Sequence, residues 1–298
     1  MKHLPDFEYY KVDDLSSYQA IVNKQPDDIT IVAGGTDLLI KLKSKSISPN
    51  VIVDISDMVP LREIVDERYT INIGAAATHT EIASNSITQR HVPFLAKAAL
   101  SVGSTQIRNS GTIGGNIANA CPAGDTLGPL VALDASIEVA QECNNYSLLT
   151  HKITEIFTGP YQTILKPSDL ITKIVIEKIP NGTGTSFIKV GRRNALSIAR
   201  LSIAVLINVD NDGIIDYARI APGAVLTYPQ RITRAEDFLI GKKVNGSNLF
   251  QQAGEITSDE VLKITGHRDS TPYKHPVLKN IVARGLLEAY ERCTEQCN

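Results

Sequence analysis

The chain has 298 residues, of which 43% are hydrophobic, so it is long enough for two domains and can bury a sizeable core. Its 30 basic and 32 acidic residues leave a formal net charge of −2, which gives no general reason to expect nucleic acid or an anionic membrane as a partner. No apolar run approaches the ~20 residues of a membrane helix, and the first residues lack an apolar signal core, so the sequence predicts a cytoplasmic protein.

The first 57 residues predict a strand–loop–helix–strand unit in which a glycine pair separates a strand from the helix after it. Parallel pairing of the two strands is plausible because a helix connects them. The predicted elements are a helix over 13–24 capped by Asp13 or Asp14, a strand over 29–33, a helix carrying Leu38, Leu39 and Leu42 that Thr36 or Asp37 caps, and a strand over 51–55.

Residues 58–180 mix strand and helix patterns, as expected of an α+β unit. Thr78 and Glu81 have the spacing of a capping box, in which each satisfies an amide at a helix start. The predicted elements are a strand around 69–73, a short helix after Thr78, a helix over 93–102, an uncharged glycine-rich loop over 112–125, a helix over 127–133, a strand over 137–140 and a long β-rich run over 170–179.

The polar segment Asn181-Gly182-Thr183-Gly184 is the best candidate for a domain boundary. The pattern beyond it predicts a three-stranded sheet backed by helices. Strands are predicted over 185–190, 201–209 and 214–221 with a turn at 210–213, and helices over 235–241, around 250–253 and over 276–290.

Two glycine-rich segments carry the strongest functional signal, Val-Ala-Gly-Gly-Thr-Asp-Leu over 32–38 and Thr-Ile-Gly-Gly-Asn over 112–116. Paired glycines let a backbone approach a ligand closely, and successive free N–H groups form a nest for an anion. Neither a Gly-x-Gly-x-x-Gly fingerprint nor a P-loop is present. One Gly-Gly pair is usually part of an ordinary turn between a strand and a helix, but two such segments indicate a site for the diphosphate of a dinucleotide. Asp125 follows the second segment and suits sugar or ribityl hydroxyls, or the cap of the next helix.

No catalytic or metal-binding residues are predicted. The cysteines, Cys121, Cys143, Cys293 and Cys297, are expected to be free thiols, and their spacings do not suit an iron–sulfur cluster or a zinc site. Cys293 and Cys297 are expected near a frayed helix end. The six histidines are scattered, and none pairs with a plausible nucleophile.

The segments 31–38 and 106–117 closely resemble the two FAD loops of the flavoprotein subunit of molybdenum hydroxylases. This family includes the medium subunits of xanthine, carbon monoxide and nicotinate dehydrogenases. The segments 157–163 and 187–193 resemble later landmarks of the family, so the resemblance covers nearly the whole chain in order. It implies an α+β fold with a vanillyl-alcohol-oxidase-type (PCMH-type) FAD-binding domain over 1–180, in two lobes of about 1–57 and 58–180. A smaller C-terminal α+β domain follows over 181–298, and FAD lies between these parts.

The resemblance also implies the cofactor-binding residues. Ile171 would give the flavin ring an apolar wall. Lys189 would stabilise reduced flavin or pair with a phosphate, although a lysine on a strand is as often simply exposed. Arg108 is expected to brace its loop rather than to touch a substrate. The residues implied are Ile31, Val32, Ala33, Gly34, Gly35, Thr36, Asp37 and Leu38 in the first loop, Thr112, Ile113, Gly114, Gly115 and Asn116 in the second, and Gly103, Asp125, Gln162, Ile171 and Lys189 elsewhere.

The function that the resemblance implies is electron transfer within a multi-subunit dehydrogenase. A molybdenum cofactor in a large subunit would oxidise the substrate, for which nicotinate is one candidate. Two [2Fe–2S] clusters in a small subunit would pass electrons to the FAD held by this chain. NAD(P)+ or another acceptor would then take them, and no nicotinamide-binding motif indicates which.

Two other functions stay open at this point. The first is a free-standing FAD-dependent reductase or oxidase on the same fold, similar to the reductase that acts on UDP-N-acetylenolpyruvoylglucosamine. Residues 31–42 contain no His or Cys, which weakens an oxidase with covalently attached FAD. The second is a binding module without redox function, which would purify as a colourless protein.

Overall fold

The computed structural model describes residues 4–24, 27–141, 147–193, 196–244, 246 and 248–297, with side chains as far as residue 295. The first part of the chain forms a three-stranded parallel sheet in the order β1-β3-β2, with two helices in the connections. Its elements are β1 (Glu8–Lys11), α1 (Leu15–Val22), β2 (Ile29–Val32), α2 (Leu38–Ser44) and β3 (Val51–Asp54).

The predicted strand–loop–helix–strand unit is confirmed, including the parallel pairing of β2 with β3. Asp14 caps α1 by accepting a hydrogen bond from the Ser17 N–H at 2.6 Å. Asp37 occupies the N-cap position of α2, but its side chain makes no capping hydrogen bond. The sequence did not predict β1, because all four of its residues are exposed and it therefore shows no alternation of apolar and polar residues.

The second part of the chain forms a five-stranded antiparallel sheet in the order β4-β5-β10-β6-β7, with helices packed against it. The predicted capping box is present, because the Thr78 hydroxyl and the Glu81 carboxylate each accept from the other residue's N–H. A short 3-10 helix (Val59–Arg62) precedes the other elements, which are β4 (Ile64–Asp66), β5 (Thr70–Gly74), α3 (His79–Ser84), α4 (Ser86–His91), α5 (Pro93–Leu100), α6 (Thr105–Ser110), α7 (Ile113–Asn119), α8 (Leu127–Ala132), β6 (Ser136–Gln141), β7 (Ser147–Lys152), α9 (Ile153–Ile156), β8 (Phe157–Gly159), β9 (Gln162–Thr163) and β10 (Leu170–Glu177).

The prediction of a loop over 112–125 is wrong for its first half, because residues 113–119 form α7. The Thr112 side chain caps this helix by accepting from the Gly115 N–H at 3.1 Å. Two glycines cost about 1 kcal/mol each in a helix relative to alanine. The turn forms nonetheless because the Ile113 and Gly114 amides donate to the carbonyls of Ala77 and Ala75, which lie between β5 and α3.

The third part of the chain is the predicted three-stranded antiparallel sheet, in the order β11-β12-β13, with three helices. Both long helices extend beyond their predicted bounds. Cys293 is therefore fully buried within α12 rather than at a frayed end, whereas the Cys297 side chain and Cys143 lie outside the described residues. The elements are β11 (Gly184–Val190), β12 (Leu201–Val209), β13 (Ile215–Gly223), α10 (Thr233–Leu239), α11 (Asn248–Thr265) and α12 (Thr271–Cys297).

The C-terminal sheet lies between two cores. Leu201, Ile203 and Val205 of β12 pack into the core that α10, α11 and α12 complete. Ala204 and Leu206 of the same strand point the other way and belong to the core of the second part. Because β12 is buried on both faces, the sheet joins the C-terminal helices to the rest of the molecule.

No helix within the part of the chain that the structure describes is both long and apolar enough to cross a bilayer. The same residues contain no group of three or more His, Cys, Asp or Glu side chains placed to hold a metal ion. Cys121 and Cys293, whose side chains are both described, are thiols rather than half-cystines; Cys121 Sγ donates to Tyr161 Oη at 3.3 Å and Cys293 Sγ to Asn208 Oδ1 at 3.5 Å.

Candidate functional site

A cleft runs between the loop after β2 and the start of α7. It consists of two adjoining cavities, of about 390 Å³ and about 370 Å³, each within the range of small-molecule sites. The larger cavity extends toward β10, and the smaller one follows the first glycine-rich loop. The two share the lining residues Thr30, Ile31, Ala33, Thr112, Gly115 and Ala118.

The first glycine-rich loop presents a row of unused backbone donors to the smaller cavity. None of the N–H groups of residues 34–38 donates a hydrogen bond to any residue that the structure describes. Gly35 has φ +66°, a left-handed conformation that glycine adopts without strain. Successive free amides around a left-handed residue are the geometry of an anion-binding nest.

Close backbone contact fixes this loop against the turn between α6 and α7. A Cβ built on Gly34 would lie 1.7 Å from the Ser110 carbonyl oxygen, so only glycine fits there. Lys41 of α2 makes a second contact between the two segments, because its Nζ donates a hydrogen bond to Asn119 Oδ1 of α7 at 3.0 Å. The two segments that the sequence singled out, almost eighty residues apart, therefore line the same cleft.

The start of α7 does not contribute free amides, in contrast to the expectation for a second nest. Its N–H groups are used within the protein: Ile113 and Gly114 donate to backbone carbonyls, and Gly115 and Asn116 donate to Thr112. At Gly114 and Gly115 the segment instead lines the cleft with backbone alone. A Cβ on Gly115 would meet only Thr112 Oγ1 within 4 Å, so its remaining surroundings are the open cleft.

Asp125 and Lys189 form a buried ion pair between the second part of the chain and β11. Lys189 Nζ lies 2.6 Å from Asp125 Oδ2 and also donates to the Ser101 carbonyl oxygen at 2.9 Å. The side chains are 7% and 13% exposed, so Lys189 is not an exposed strand lysine. Asp125 does not cap α8, and its second oxygen, Oδ1, is buried without a hydrogen-bond partner in the described residues.

Burial raises the pKa of Asp125 to about 6, although the charge and hydrogen bond of Lys189 act in the opposite direction. The cost of desolvating the carboxylate is therefore larger than the gain from the ion pair. A folded-state pKa above the unfolded value of 3.8 means that the folded chain binds this proton more tightly. The stability contributed by the proton is complete below pH 4 and is lost as the pH rises toward and through 6.

We expect the ligand-free Asp125→Asn variant to lack this pH dependence, because an amide does not titrate. Two pKa units correspond to at most ~3 kcal/mol. The variant should therefore gain stability relative to the wild type by up to that amount between pH 4 and pH 7, on top of a constant offset from unpaired Lys189. Urea unfolding of both proteins across this range measures the difference. If the stabilities of the two proteins changed with pH in parallel, the raised pKa of Asp125 would be contradicted.

His79 is a cleft residue that the sequence did not indicate. The residue is 3% exposed and lines the smaller cavity at the start of α3. The capping box located Thr78 and Glu81, but nothing in the spacing showed that the residue between them faces a cavity.

The structure brings most of the implied cofactor-binding residues to this cleft. Gly103 lies beside cavity-lining Val102 and is held there by Arg108, which donates to the Val102 and Gly103 carbonyls at 3.1 Å each. Arg108 thus braces its loop, as expected. Gln162 is exposed beside cavity-lining Thr163. Residues 31–38, Thr112, Gly114, Gly115, Asn116 and Ile171 line the cleft, whereas Gly103, Ile113, Asp125, Gln162 and Lys189 do not.

The donor set fits a dinucleotide cofactor such as FAD. Unused amides at residues 34–38 suit a diphosphate, and the glycine wall at Gly115 leaves room for its approach. The larger cavity is mostly apolar, with Ile31, Leu165 and Ile171 in its wall, which suits an aromatic ring. Asp125 Oδ1 is a buried acceptor without a donor in the described residues, and Asp125 is not among the residues that line the cleft.

Two family profiles match the chain. One, described as the FAD binding domain in molybdopterin dehydrogenase, matches residues 5–179. The other, described as the CO dehydrogenase flavoprotein C-terminal domain, matches residues 186–289.

Relatives of known activity align over nearly the whole chain. The nicotinate dehydrogenase FAD-subunit of Eubacterium barkeri is 28% identical, with 99% of this chain and 100% of the relative covered. The caffeine dehydrogenase subunit beta of a Pseudomonas species is 33% identical, with 96% and 95% covered. Among solved structures, a chain of carbon monoxide dehydrogenase from Hydrogenophaga pseudoflava superimposes with a TM-score of 0.88 at 28% identity, covering 98% and 99%.

Proposed function

The chain belongs to the family of FAD-binding subunits of molybdopterin dehydrogenases, and on this premise we propose that it relays electrons between a partner subunit and a soluble acceptor. The donors in this proposal are [2Fe–2S] clusters of a small subunit, which receive electrons from a molybdenum cofactor in a large subunit. The acceptor is NAD(P)+ or another electron acceptor. We place the boundary between the FAD-binding and C-terminal domains at residues 180 and 181, within the segment that joins β10 to β11.

The observation that carries the proposal is the row of unused amides opposite the glycine wall of α7. We assign residues 31–38 to the diphosphate of FAD, with Thr112, Gly114, Gly115 and Asn116 as the facing wall. Backbone amides solvate the two negative charges without a mobile cation, and Lys41 adds a positive charge at the same cavity.

Other residues in the proposal act around the ring system and the sugar chain of the cofactor. Ile171 supplies an apolar wall in the larger cavity. Asp125 and Lys189, held together at the junction with the C-terminal sheet, supply one acceptor and one positive charge. We also assign Gly103 and Gln162 as contacts of the cofactor, because their neighbours in the chain, Val102 and Thr163, line the cleft.

Bound FAD supplies the redox chemistry, since it accepts and donates electrons singly or in pairs. The residues of this chain would bind and orient the cofactor and provide fixed charges near it. The absence of a nucleophile–base pair in the sequence agrees with this division of labour.

Purification of the tagged chain from its source tests the proposal. We expect a yellow preparation with stoichiometric FAD, recovered with partner chains that carry molybdenum and iron in quantities measured by elemental analysis. Rapid mixing of the purified complex with its substrate tests the order of electron transfer. We expect the iron–sulfur clusters to be reduced before the flavin.

A lone chain that turns over a substrate at full rate with NAD(P)H would contradict the proposal and favour a free-standing reductase. A colourless chain that does not bind added FAD would instead favour a binding module without redox function. Excess NAD+, NADP+ and an artificial acceptor, tested separately on the reduced complex, identify the acceptor.

A further inference from the structure

His79 is the first residue of α3 and lines the smaller cavity, which the loop that we assign to the diphosphate also lines. Its backbone N–H donates to the Gly111 carbonyl oxygen at 3.0 Å, which fixes the residue beside the turn between α6 and α7. The residue is 3% exposed, and it is one of the residues that line this cavity.

The imidazole has no hydrogen-bond partner in the part of the chain that the structure describes. Nδ1 is enclosed by protein and unpaired, and no described residue hydrogen bonds to Nε2. Two other histidines differ, because His91 and His275 each contact a carboxylate at 3.0 Å. Leaving a buried polar group unpaired destabilises the folded protein, and an unpaired buried N–H is rarer than an unpaired acceptor.

These facts determine where the proton of the neutral ring lies. A proton on enclosed Nδ1 would be a buried donor without an acceptor, whereas a proton on Nε2 leaves only a lone pair at Nδ1. The favoured tautomer therefore carries its N–H on Nε2, the nitrogen left to face the cavity.

The ring edge also lies beside the phosphate-binding loop. The position that a Gly111 Cβ would occupy is 3.2 Å from His79 Cδ2 and 3.6 Å from Thr36 Oγ1. An anion that accepts hydrogen bonds from the amides of residues 34–38 would therefore lie close to the His79 imidazole.

We propose that His79 contacts the cofactor directly, with its Nε2–H donating a hydrogen bond to the diphosphate held by residues 34–38. This inference rests on the proposed function, because it takes the same loop as the diphosphate site. It adds a side-chain donor to a nest that otherwise consists of backbone amides.

The charge state of the free chain agrees with a neutral donor. Burial, and to a smaller extent the charge of Arg108, lowers the pKa of His79 to about 4. The other charged groups at this cavity are Asp37 and Lys41 of the α2 segment. A bound diphosphate adds negative charge next to the ring, so cofactor binding raises the pKa of His79.

The test compares affinities of the cofactor-free full chain for FAD and for ADP, which shares the diphosphate but has no flavin. A hydrogen bond to a charged group corresponds to roughly tenfold or more in affinity. The His79→Ala variant should therefore bind both ligands at least about tenfold more weakly, and His79→Gln, which keeps an N–H donor, should recover part of the loss. His91→Ala, on the neighbouring helix and paired with Asp66, is the matched control and should bind both ligands like the wild type.

If the alanine variant does not fold, a measurement on the wild-type chain tests the proposed hydrogen bond of His79. Histidine NMR titrations with and without FAD should show the pKa of His79 rising by at least about one unit on binding. Unchanged affinity of His79→Ala for both ligands, or an unchanged His79 titration, would overturn the inference. A wild-type chain that binds neither FAD nor ADP would instead refute the proposed function.

Discussion

Replacing Gly115 by valine should yield a folded protein that has lost its FAD. Gly115 lines both cavities, and a Cβ there would meet only Thr112 Oγ1, at 2.9 Å, so the rest of a valine side chain extends into the cleft. Steric overlap of this kind costs about 1–3 kcal/mol, which corresponds to roughly five- to 150-fold in affinity. Flavin content after gel filtration, and the dissociation constant of FAD from fluorescence quenching, measure the effect.

Gly128→Ala is the matched control for this substitution. Gly128 is also a helical glycine, in α8, but a Cβ there would make ordinary contact, 3.5 Å from the Ala221 carbonyl oxygen and away from the cleft. This variant should retain FAD at the wild-type level. Stoichiometric FAD in Gly115→Val, with an unchanged affinity, would show that α7 does not face the diphosphate.

Replacing Gly34 by alanine should destabilise the protein and weaken FAD binding together. The added Cβ would lie 1.7 Å from the Ser110 carbonyl oxygen, so the loop after β2 must move away from the turn before α7. The overlap is with backbone, which cannot rotate away, and we expect a cost of about 3 kcal/mol. Urea unfolding of the cofactor-free protein measures the loss of stability, and the flavin content of the purified protein measures how much FAD the altered cleft retains.

The neighbouring Gly35→Ala variant separates close packing from backbone strain. A Cβ on Gly35 would be 3.5 Å from its nearest neighbours, but the residue has φ +66°, which costs other residues ~1–2 kcal/mol. Gly35→Ala should therefore lose less stability than Gly34→Ala. An equal or smaller loss for Gly34→Ala would mean that the close approach to Ser110 does not fix the loop.

Local patterns were sufficient to predict most of the elements that border the cleft. The strand over 201–209 was predicted with its observed bounds because it is buried on both faces and so reads as a continuous apolar run. Thr78 and Glu81 located α3 because capping needs only residues three positions apart.

Contacts between distant residues account for what the sequence did not predict. α7 contains two glycines, which argue against a helix, and its first amides are satisfied by Ala75 and Ala77 far upstream. The pairing of Asp125 with Lys189 joins positions 64 residues apart, and no spacing rule connects them. The unpartnered state of His79 is likewise a property of the assembled cavity wall and not of its neighbours in the sequence.

The position of the C-terminal sheet between two cores has a consequence for synthesis on the ribosome. Ala204, Leu206 and Ala221 complete the core to which Leu130 and Val131 of α8 belong. While only the first 180 residues have been translated, that apolar surface has no cover and the carboxylate of Asp125 has no cation. The nascent N-terminal portion is therefore expected to remain a chaperone client until the strand containing Ala221 has left the exit tunnel.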